Sequence, residues 1–490
     1  MTKEEILALR NEPWRDELRK KMSPKERGAI ERVKMPELAP DYRITTFTEE
    51  VQQGLTKEMA VTEAQRCLDC GDPSCMKGCP VGINIPTFIK HIEKEEFAEA
   101  IATIKQTSSL PAVCGRVCPQ EKQCEGNCIK LKMNQKAVAI GYLERFAADY
   151  ERESGKMQAP QCAASNGKKV CVVGSGPSGL AFAADMIKLG YDVTVFEALH
   201  EIGGVLKYGI PEFRLPNNVV EAEINTLRQM GVKFEPNTIV GKTISYEQLH
   251  EMGFDGIFVG SGAGLPRFMN IPGENLIGVM SSNEYLTRIN LMGAGRGQGF
   301  DTPVLKGKNV VVCGGGNTAM DSARTAKRMG AETVTLVYRR GLDELPARAE
   351  EVHHAMEEGI DFHVLHNPLE YHADENGRVK EAVLQVMELG EPDASGRRSP
   401  VAIEGKTETI PADLVVVAIG VSPNPIIPTN FKGLEISKKG TIVVGEESMQ
   451  SALSDVFAGG DIVRGGATVI LAMGDGRKAA SAMDEYLTKK

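Results

Sequence analysis

Four cysteines fall within thirteen residues in CLDCGDPSCMKGCP at 67–80, spaced C-x2-C-x4-C-x3-C-P. A second set follows in CGRVCPQEKQCEGNC at 114–128, so eight of the eleven cysteines lie between Cys67 and Cys128, and only Cys162, Cys171 and Cys313 lie outside. Thiolates at such spacings ligate soft metals, either zinc or iron–sulfur clusters. Disulfides are the third chemistry, expected only in an oxidising compartment. Spacing leaves zinc and iron open. What lies downstream decides, because zinc is inert beside redox cofactors and iron is not.

Downstream, two segments repeat one pattern. KKVCVVGSGPSGLAFAADMIKLGYDVTVFEA (168–198) and KNVVVCGGGNTAMDSARTAKRMGAETVTLVYRR (308–340) each give an apolar β run, a glycine turn, a helix and a second β run. In the first, Gly174, Ser175, Gly176, Pro177, Ser178 and Gly179 spell G-x-G-x-x-G. The first glycine permits the turn, the second lets a pyrophosphate approach the backbone, and the third lets helix and strand pack closely. Free N–H groups at the helix start then meet the phosphates. Glu197 ends the following strand, placed to accept from a ribose hydroxyl. The second loop, Gly314, Gly315, Gly316, Asn317, Thr318 and Ala319, gives G-x-G-x-x-A, and its next strand ends in Tyr338 followed by Arg339 and Arg340. A guanidinium pair where the first unit has a carboxylate suits a 2′-phosphate, so this site is expected to take NADP(H).

The bulk composition agrees. With 490 residues, 42% hydrophobic and 25% charged, the chain reads as a globular protein of about three domains. A net charge of −9 argues against nucleic acid. No apolar run reaches the length of a membrane span. The charged start MTKEEILALRNEPWRDELRKK lacks a secretory h-region, so a cytoplasmic location is expected.

The elements that must position these residues fall into an α/β architecture. Residues 1–165 read as a helical domain holding the cysteines. Ile85, Phe88, Ile89, Ile92, Phe97, Ile101 and Ile104 keep a 3.6-residue period across 85–107. Residues 151–169 read as a polar linker. Two doubly wound, Rossmann-like domains follow: a discontinuous one at 166–287 and 432–490, and an inserted one at 288–431. The discontinuity follows from the C-terminus, where VFAGGDIV (456–463) and GGATVILAMGDGRKAASAMDEYL give a β run and a helix that must return to the first dinucleotide unit.

Taken together, these motifs resemble a known family. CLDCGDPSCMKGCP, CGRVCPQEKQCEGNC, GSGPSG, YGIPEFRLP (208–216), GGGNTAMD, VYRR and AGGDIV…GDGRKAA occur in the order seen in the small subunit of NADPH-dependent glutamate synthase. The pattern is equally similar to the large subunit of NADH-dependent ferredoxin:NADP oxidoreductase and to the N-terminal half of dihydropyrimidine dehydrogenase. The resemblance implies FAD in the first dinucleotide site, NADP(H) in the second and two 4Fe–4S clusters in the helical domain. It implies Cys67, Cys70, Cys75 and Cys128 as ligands of one cluster. For the other it implies Cys79, Cys118, Cys124 and, as a non-thiolate ligand, Glu144, leaving Cys114 spare; thiol chemistry alone favours Cys114 over Glu144. It further places Gly203, Gly204, Arg214, Gly460, Asp461 and Thr468 near the FAD, and Arg348, Glu350 and Gly420 near the NADP.

Nicotinamide gives hydride, a cluster takes one electron, and flavin handles both, which explains three cofactors in one chain. No side-chain acid or nucleophile is required, so no catalytic residue is expected. The implied activity is NADPH-dependent FAD/iron–sulfur electron transfer, with a separate redox partner: a glutamate synthase large subunit or a ferredoxin-linked flavin reductase subunit. Nothing in the chain offers a glutaminase or a synthase barrel. The alternative from another class, a non-enzymatic flavin- and metal-bearing scaffold, fits poorly with two intact glycine turns.

Overall fold

The computed structural model describes residues 1–155, 157–297, 299–394 and 396–489. Before Lys169 the described residues form helices and loops, with a single bridge between Glu37 and Gln52. The periodic stretch at 85–107 is two helices, Ile85–Glu93 and Phe97–Lys105, because Glu95 adopts a left-handed φ of 64° and breaks the run. Their buried faces, including Phe88, Ile92, Ile101 and Ile104, join one apolar core with Leu180, Phe182 and Met473 of the first dinucleotide unit. The helical domain is therefore packed onto that unit rather than tethered to it. The expected linker behaves likewise: Ala163 and Asn166 donate from their backbone N–H to the carbonyls of Lys188 and Gly190.

The first dinucleotide unit is a parallel sheet in the order Val456–Ala458, Gly256–Val259, Lys169–Val173, Asp192–Phe196, Lys233–Glu235. Its outermost strand comes from the C-terminal segment, as the return of VFAGGDIV requires. The helix Val469–Lys489 then packs on the helix Pro177–Lys188.

The second unit is a parallel sheet in the order Val279–Ser281, Leu414–Val417, Asn309–Cys313, Thr333–Tyr338, Asp361–Val364. Its borders differ from the expected 288–431. Val279–Ser281 pairs with Leu414–Val417, so the second unit already includes these residues, while Ile427 and Phe431 pack in the core of the first. The true crossing is a two-stranded antiparallel ribbon, Leu265–Pro266 with Val421–Ser422. A three-residue strand carries too little periodicity to be read from sequence. An antiparallel sheet of His366–Ala373, Val379–Pro392 and Arg398–Pro411, with no counterpart in the first unit, is inserted before the last parallel strand.

Side chains lock the second unit to its neighbours. Arg214, just after the short segment Val205–Tyr208, donates twice to Asp321 at 2.8 and 2.7 Å. Beside it, Phe213 lies under the guanidinium groups of Arg328 and Arg324, 3.8 and 4.8 Å from the ring centroid. Arg324 pairs with both Glu351 and Glu358. From the helical domain, Arg43 reaches Glu357 and Glu358, each at 2.9 Å. Lys122 donates to the Pro346 carbonyl at 2.9 Å.

Candidate functional site

The thiols are held by a scaffold of buried ion pairs. Asp69, fully buried between Cys67 and Cys70, takes a left-handed φ of 52°. Its carboxylate is gripped by Arg15 and Arg19, and its carbonyl accepts from Arg10 Nε at 2.7 Å. Lys90 Nζ donates to the Cys67 carbonyl at 2.8 Å. The N-terminal helices thus fix the first thiol loop. The second depends on close helix packing: a Cβ on Gly115 would sit 2.6 Å from the backbone nitrogen of Arg145. That contact lets the helix Pro111–Val117 lie against Ile140–Glu153, the helix that carries Glu144.

The thiols sort into two groups. Cys75 lies within electrostatic reach of Cys67, Cys70 and Cys128. Cys124, Cys79 and Cys114 each lie within electrostatic reach of Glu144 and Cys118. Cys114 is fully buried beside Cys118, its Sγ 3.5 Å from Met473 Sδ. Burial pushes the Cys70 and Cys79 thiols up to about 11, so thiolates here require a cation. Glu144 is buried, its Oε1 has no hydrogen-bond partner, and burial followed by nearby Glu223 pushes its carboxyl up to about 8. A buried carboxylate oxygen left without a partner beside thiols has the chemistry to join them as a metal ligand.

The spacing of the sulfurs bears on which metal. Four thiolates on one zinc lie about 3.8 Å apart, given Zn–S bonds of about 2.3 Å. Among the described residues, no three cysteine sulfurs lie mutually within 4.8 Å. The sulfurs are therefore not arrayed at single-zinc spacing among the described residues.

The dinucleotide loops meet the steric terms expected of them. A Cβ on Gly179 would lie 2.0 Å from the Gly174 carbonyl oxygen, so helix and strand are packed as closely as glycine permits. A Cβ on Gly176 or on Gly316 would meet nothing within 4 Å, so both loops leave the phosphate approach open. The following helices, Pro177–Lys188 and Asn317–Arg328, are both twelve residues long. We expect Gly179→Ala to lower the thermal midpoint of the apoprotein by several degrees. Gly176→Ala should leave that midpoint unchanged and weaken FAD binding at least about tenfold; calorimetry with FAD titration separates the two.

A cavity of about 1180 Å³ runs past these loops. Of the expected FAD-site residues, it is lined by Gly174, Gly176, Pro177, Ser178, Glu197, Gly204, Arg214, Asp461 and Thr468. Ser175 and Gly203 stand behind this wall: Ser175 donates to Glu197 from N–H and Oγ, and Gly203 donates to Ser175 Oγ. Gly460 donates its N–H to Asp475. Thr468 accepts from Leu471 at the start of the last helix, and burial pushes Asp461 up to about 6. Ser178 Oγ and Ser261 Oγ are buried without partners, and both residues line the cavity, which fits a polar ligand. Asn317 and Thr318 of the second loop line it too, as do Val117 and Pro119 on either side of Cys118. Sequence reading missed Tyr208, Thr238 and Gly260–Gly264, which also line it; the GSGAG turn after the strand Gly256–Val259 was the available signal.

Several residues expected near NADP have partners within the protein. Arg348 donates to the Arg116 carbonyl and pairs with Glu350, while Glu350 accepts from Tyr142 and Gln52. These two residues join the second unit to the helical domain, because LPARAEE faces the 114–128 loop. Arg214 lines the cavity, but its charge is taken up by Asp321. Arg340 is buried, pairing with Asp393 at 2.6 Å and donating to the Arg398 carbonyl; Arg339 is exposed. Gly420, at φ 111°, accepts from Arg267 in the crossing ribbon.

Among the described residues no helix is long and apolar enough to cross a membrane. Comparison with known proteins extends the geometry. Residues 43–156 match the family "dihydropyrimidine dehydrogenase domain II, 4Fe-4S cluster", and residues 168–476 match the pyridine nucleotide-disulphide oxidoreductases. A glutamate synthase (NADPH) small chain of Halomonas elongata is 37% identical over 92% of this chain and 96% of its own length. The NADP(+)-dependent formate dehydrogenase subunit beta of Moorella thermoacetica is 38% identical over 84% of this chain and 60% of its own. The fold matches Mycobacterium tuberculosis FprA, solved with NADPH, at a TM-score of 0.56 and 22% identity over 66% of this chain and 85% of that one. An N-terminal iron–sulfur domain, two nucleotide-binding sheets and near full-length similarity meet in one assignment: the chain belongs to the glutamate synthase (NADPH) small-chain family and is a flavoprotein oxidoreductase with a 4Fe–4S domain.

Proposed function

We propose that the chain exchanges electrons between NADP(H) and a partner subunit, and that in a glutamate-synthesising complex it is the reductant subunit. The observation that carries this reading is the shared cavity: one space is bounded by Gly176 and Glu197, by Asn317 and Thr318, and by Val117 and Pro119 around Cys118. Each of the three units contributes a wall. Bound there and in the thiol groups, FAD and iron–sulfur clusters would supply the conversion between hydride and single electrons.

The chain's own residues set the arrangement. Cys67, Cys70, Cys75 and Cys128 would hold one cluster, and Cys79, Cys118, Cys124 and Glu144 the other. Glu197 would hold the FAD ribose, and the helix starting at Pro177 would face its pyrophosphate. Val469–Lys489 begins beside Asp461 and Thr468 and would offer its positive end to the flavin. The half of the thiol set that includes Cys118 is the half next to the cavity.

In the second site the exposed Arg339 would meet the 2′-phosphate, with Arg340 committed to the antiparallel insert. The test is steady-state dye reduction by the purified, cluster-bearing chain with NADPH and with NADH. Arg339→Ala should raise KM for NADPH about tenfold or more, the value of one charge-assisted contact, and leave that for NADH unchanged. Equal effects on the two nucleotides, or no NADPH-dependent reduction by the unaltered chain, would overturn the reading.

A further inference from the structure

A second place in the molecule gathers metal-ligating side chains, far in sequence from the cysteines. Among the described residues, His363, His366 and Glu408 have ligand atoms lying mutually within 4.8 Å. His363 Nε2 and His366 Nε2 both approach the same oxygen, Glu408 Oε2, at 3.1 and 3.2 Å. The two imidazole centroids are 4.1 Å apart.

The backbone builds this convergence from three strands. His363 ends the parallel sheet of the second unit, opposite Val337, and His366 opens the antiparallel insert, opposite Val386. Between them Leu365 adopts a φ of 57°, a conformation bulky residues rarely take unless the surroundings impose it. It is pinned on both sides: its N–H donates to the Arg340 carbonyl at 3.0 Å, and its carbonyl accepts from Met387 at 2.7 Å. Glu408 arrives on the strand Arg398–Pro411, beyond a register shift beside Gln385. Gln385 Nε2 spans that irregularity, donating to the carbonyls of Ile403 and Lys406 at 2.7 and 2.9 Å. Bulges of this kind commonly re-aim a side chain toward a site.

Hydrogen-bond bookkeeping then demands a cation. The Val364 carbonyl lies 2.7 Å from His366 Nδ1 and can only accept, so Nδ1 carries the hydrogen. The Nε2 lone pair of a neutral His366 therefore points at a carboxylate oxygen, acceptor against acceptor. That contact is favourable only with a proton or a metal ion between the two. Backbone bonding of the distal nitrogen is also what fixes a ligating histidine in protein metal sites. The separations fit an ion as well. Nitrogen and oxygen ligands at about 2.0 Å from a tetrahedral zinc lie about 3.3 Å from each other, close to the two nitrogen–oxygen separations of 3.1 and 3.2 Å.

We propose that His363, His366 and Glu408 form a site for a divalent transition cation, with water completing the shell. Glu408 is half-exposed, leaving the fourth direction open to solvent. Two imidazoles and a carboxylate suit zinc and its neighbours rather than calcium or magnesium. The ion would staple the edge of the parallel sheet to the insert, next to the backbone of Arg340.

Zinc is the probe. Anaerobically purified full chain with its iron in place is treated with a chelator, equilibrated with zinc, and passed through a desalting column. The proposal expects one equivalent of retained zinc, an X-ray absorption shell of nitrogen and oxygen only, and a zinc-dependent rise in thermal midpoint. His363→Ala and Glu408→Gln should each lose the zinc and the rise, with iron content unchanged. His372→Ala, an imidazole between Glu370 and Glu381 elsewhere in the insert, should retain both. No zinc on the unaltered chain, sulfur in the shell, or full retention by His363→Ala and Glu408→Gln would overturn the site and mark the cluster as protonated ion pairs.

Discussion

Cys118→Ser is expected to remove about half of the chain's iron, leaving about four atoms where two cubane clusters would hold about eight. Electron delivery to a protein acceptor should fall to background. NADPH oxidation by a dye small enough to enter the cavity should persist, because Cys118 lies outside both nucleotide loops. The neighbours sharpen the result. Glu144→Ala should match Cys118→Ser in iron content, since its buried, unpartnered oxygen belongs to a carboxyl within electrostatic reach of Cys79 and Cys124. Cys114→Ala should keep all the iron if Glu144 is the fourth ligand, although that thiol is buried beside Cys118 and within electrostatic reach of Glu144 and Cys79. Iron and acid-labile sulfide assays decide it. Loss of iron in Cys114→Ala with full iron in Glu144→Ala would exchange the roles of the two residues.

The second large effect is on stability. Arg324 is fully buried and answers Glu351 and Glu358, both also buried. Arg324→Met should destabilise the second dinucleotide unit by about 3–5 kcal/mol, the usual result of leaving buried charges unpaired. The same pairs make the unit acid-sensitive. Burial alone would push Glu351 up, but the Arg214 and Arg324 guanidiniums hold it down to about 2, against an ordinary 4.5. A depressed carboxyl stabilises above its unfolded value and loses that contribution as pH falls toward its folded value. Glu351 should therefore contribute about 3 kcal/mol at neutral pH, declining from roughly pH 4.5 to pH 2. Thermal denaturation across that range, with and without Arg324→Met, checks both statements. A variant as stable as the unaltered chain at pH 7 would count against the pairing.

What could be read from sequence was what local sterics enforce. The strand–glycine–helix units stand where the motifs put them, because part of the constraint is local: a Cβ on Gly179 would meet the Gly174 carbonyl oxygen and Val172 of the same unit. Thr468 at the start of the last helix is local in the same way, its hydroxyl accepting from Leu471 three residues on. Residues whose roles depend on distant partners were not. Arg348 and Glu350 look like nucleotide contacts until the fold brings Arg116, Gln52 and Tyr142 to them. Arg340 looks free until the insert supplies Asp393. The strand Val279–Ser281 is too short to signal its sheet. His363, His366 and Glu408 meet only because Leu365 turns the chain and a register shift presents the carboxylate.

The bonds from Arg43, Lys122 and Tyr142 into the second unit have a mechanical consequence. The ribbon of Leu265–Pro266 and Val421–Ser422 has the geometry of an axle, but the helical domain grips the far side of what it would turn. Any pivot of the nucleotide lobe must first sever these contacts, the buried Arg43 pairs among them. The three compartments consequently behave as a single chassis, with reach between them set at folding rather than renewed by a swinging stroke in every turnover.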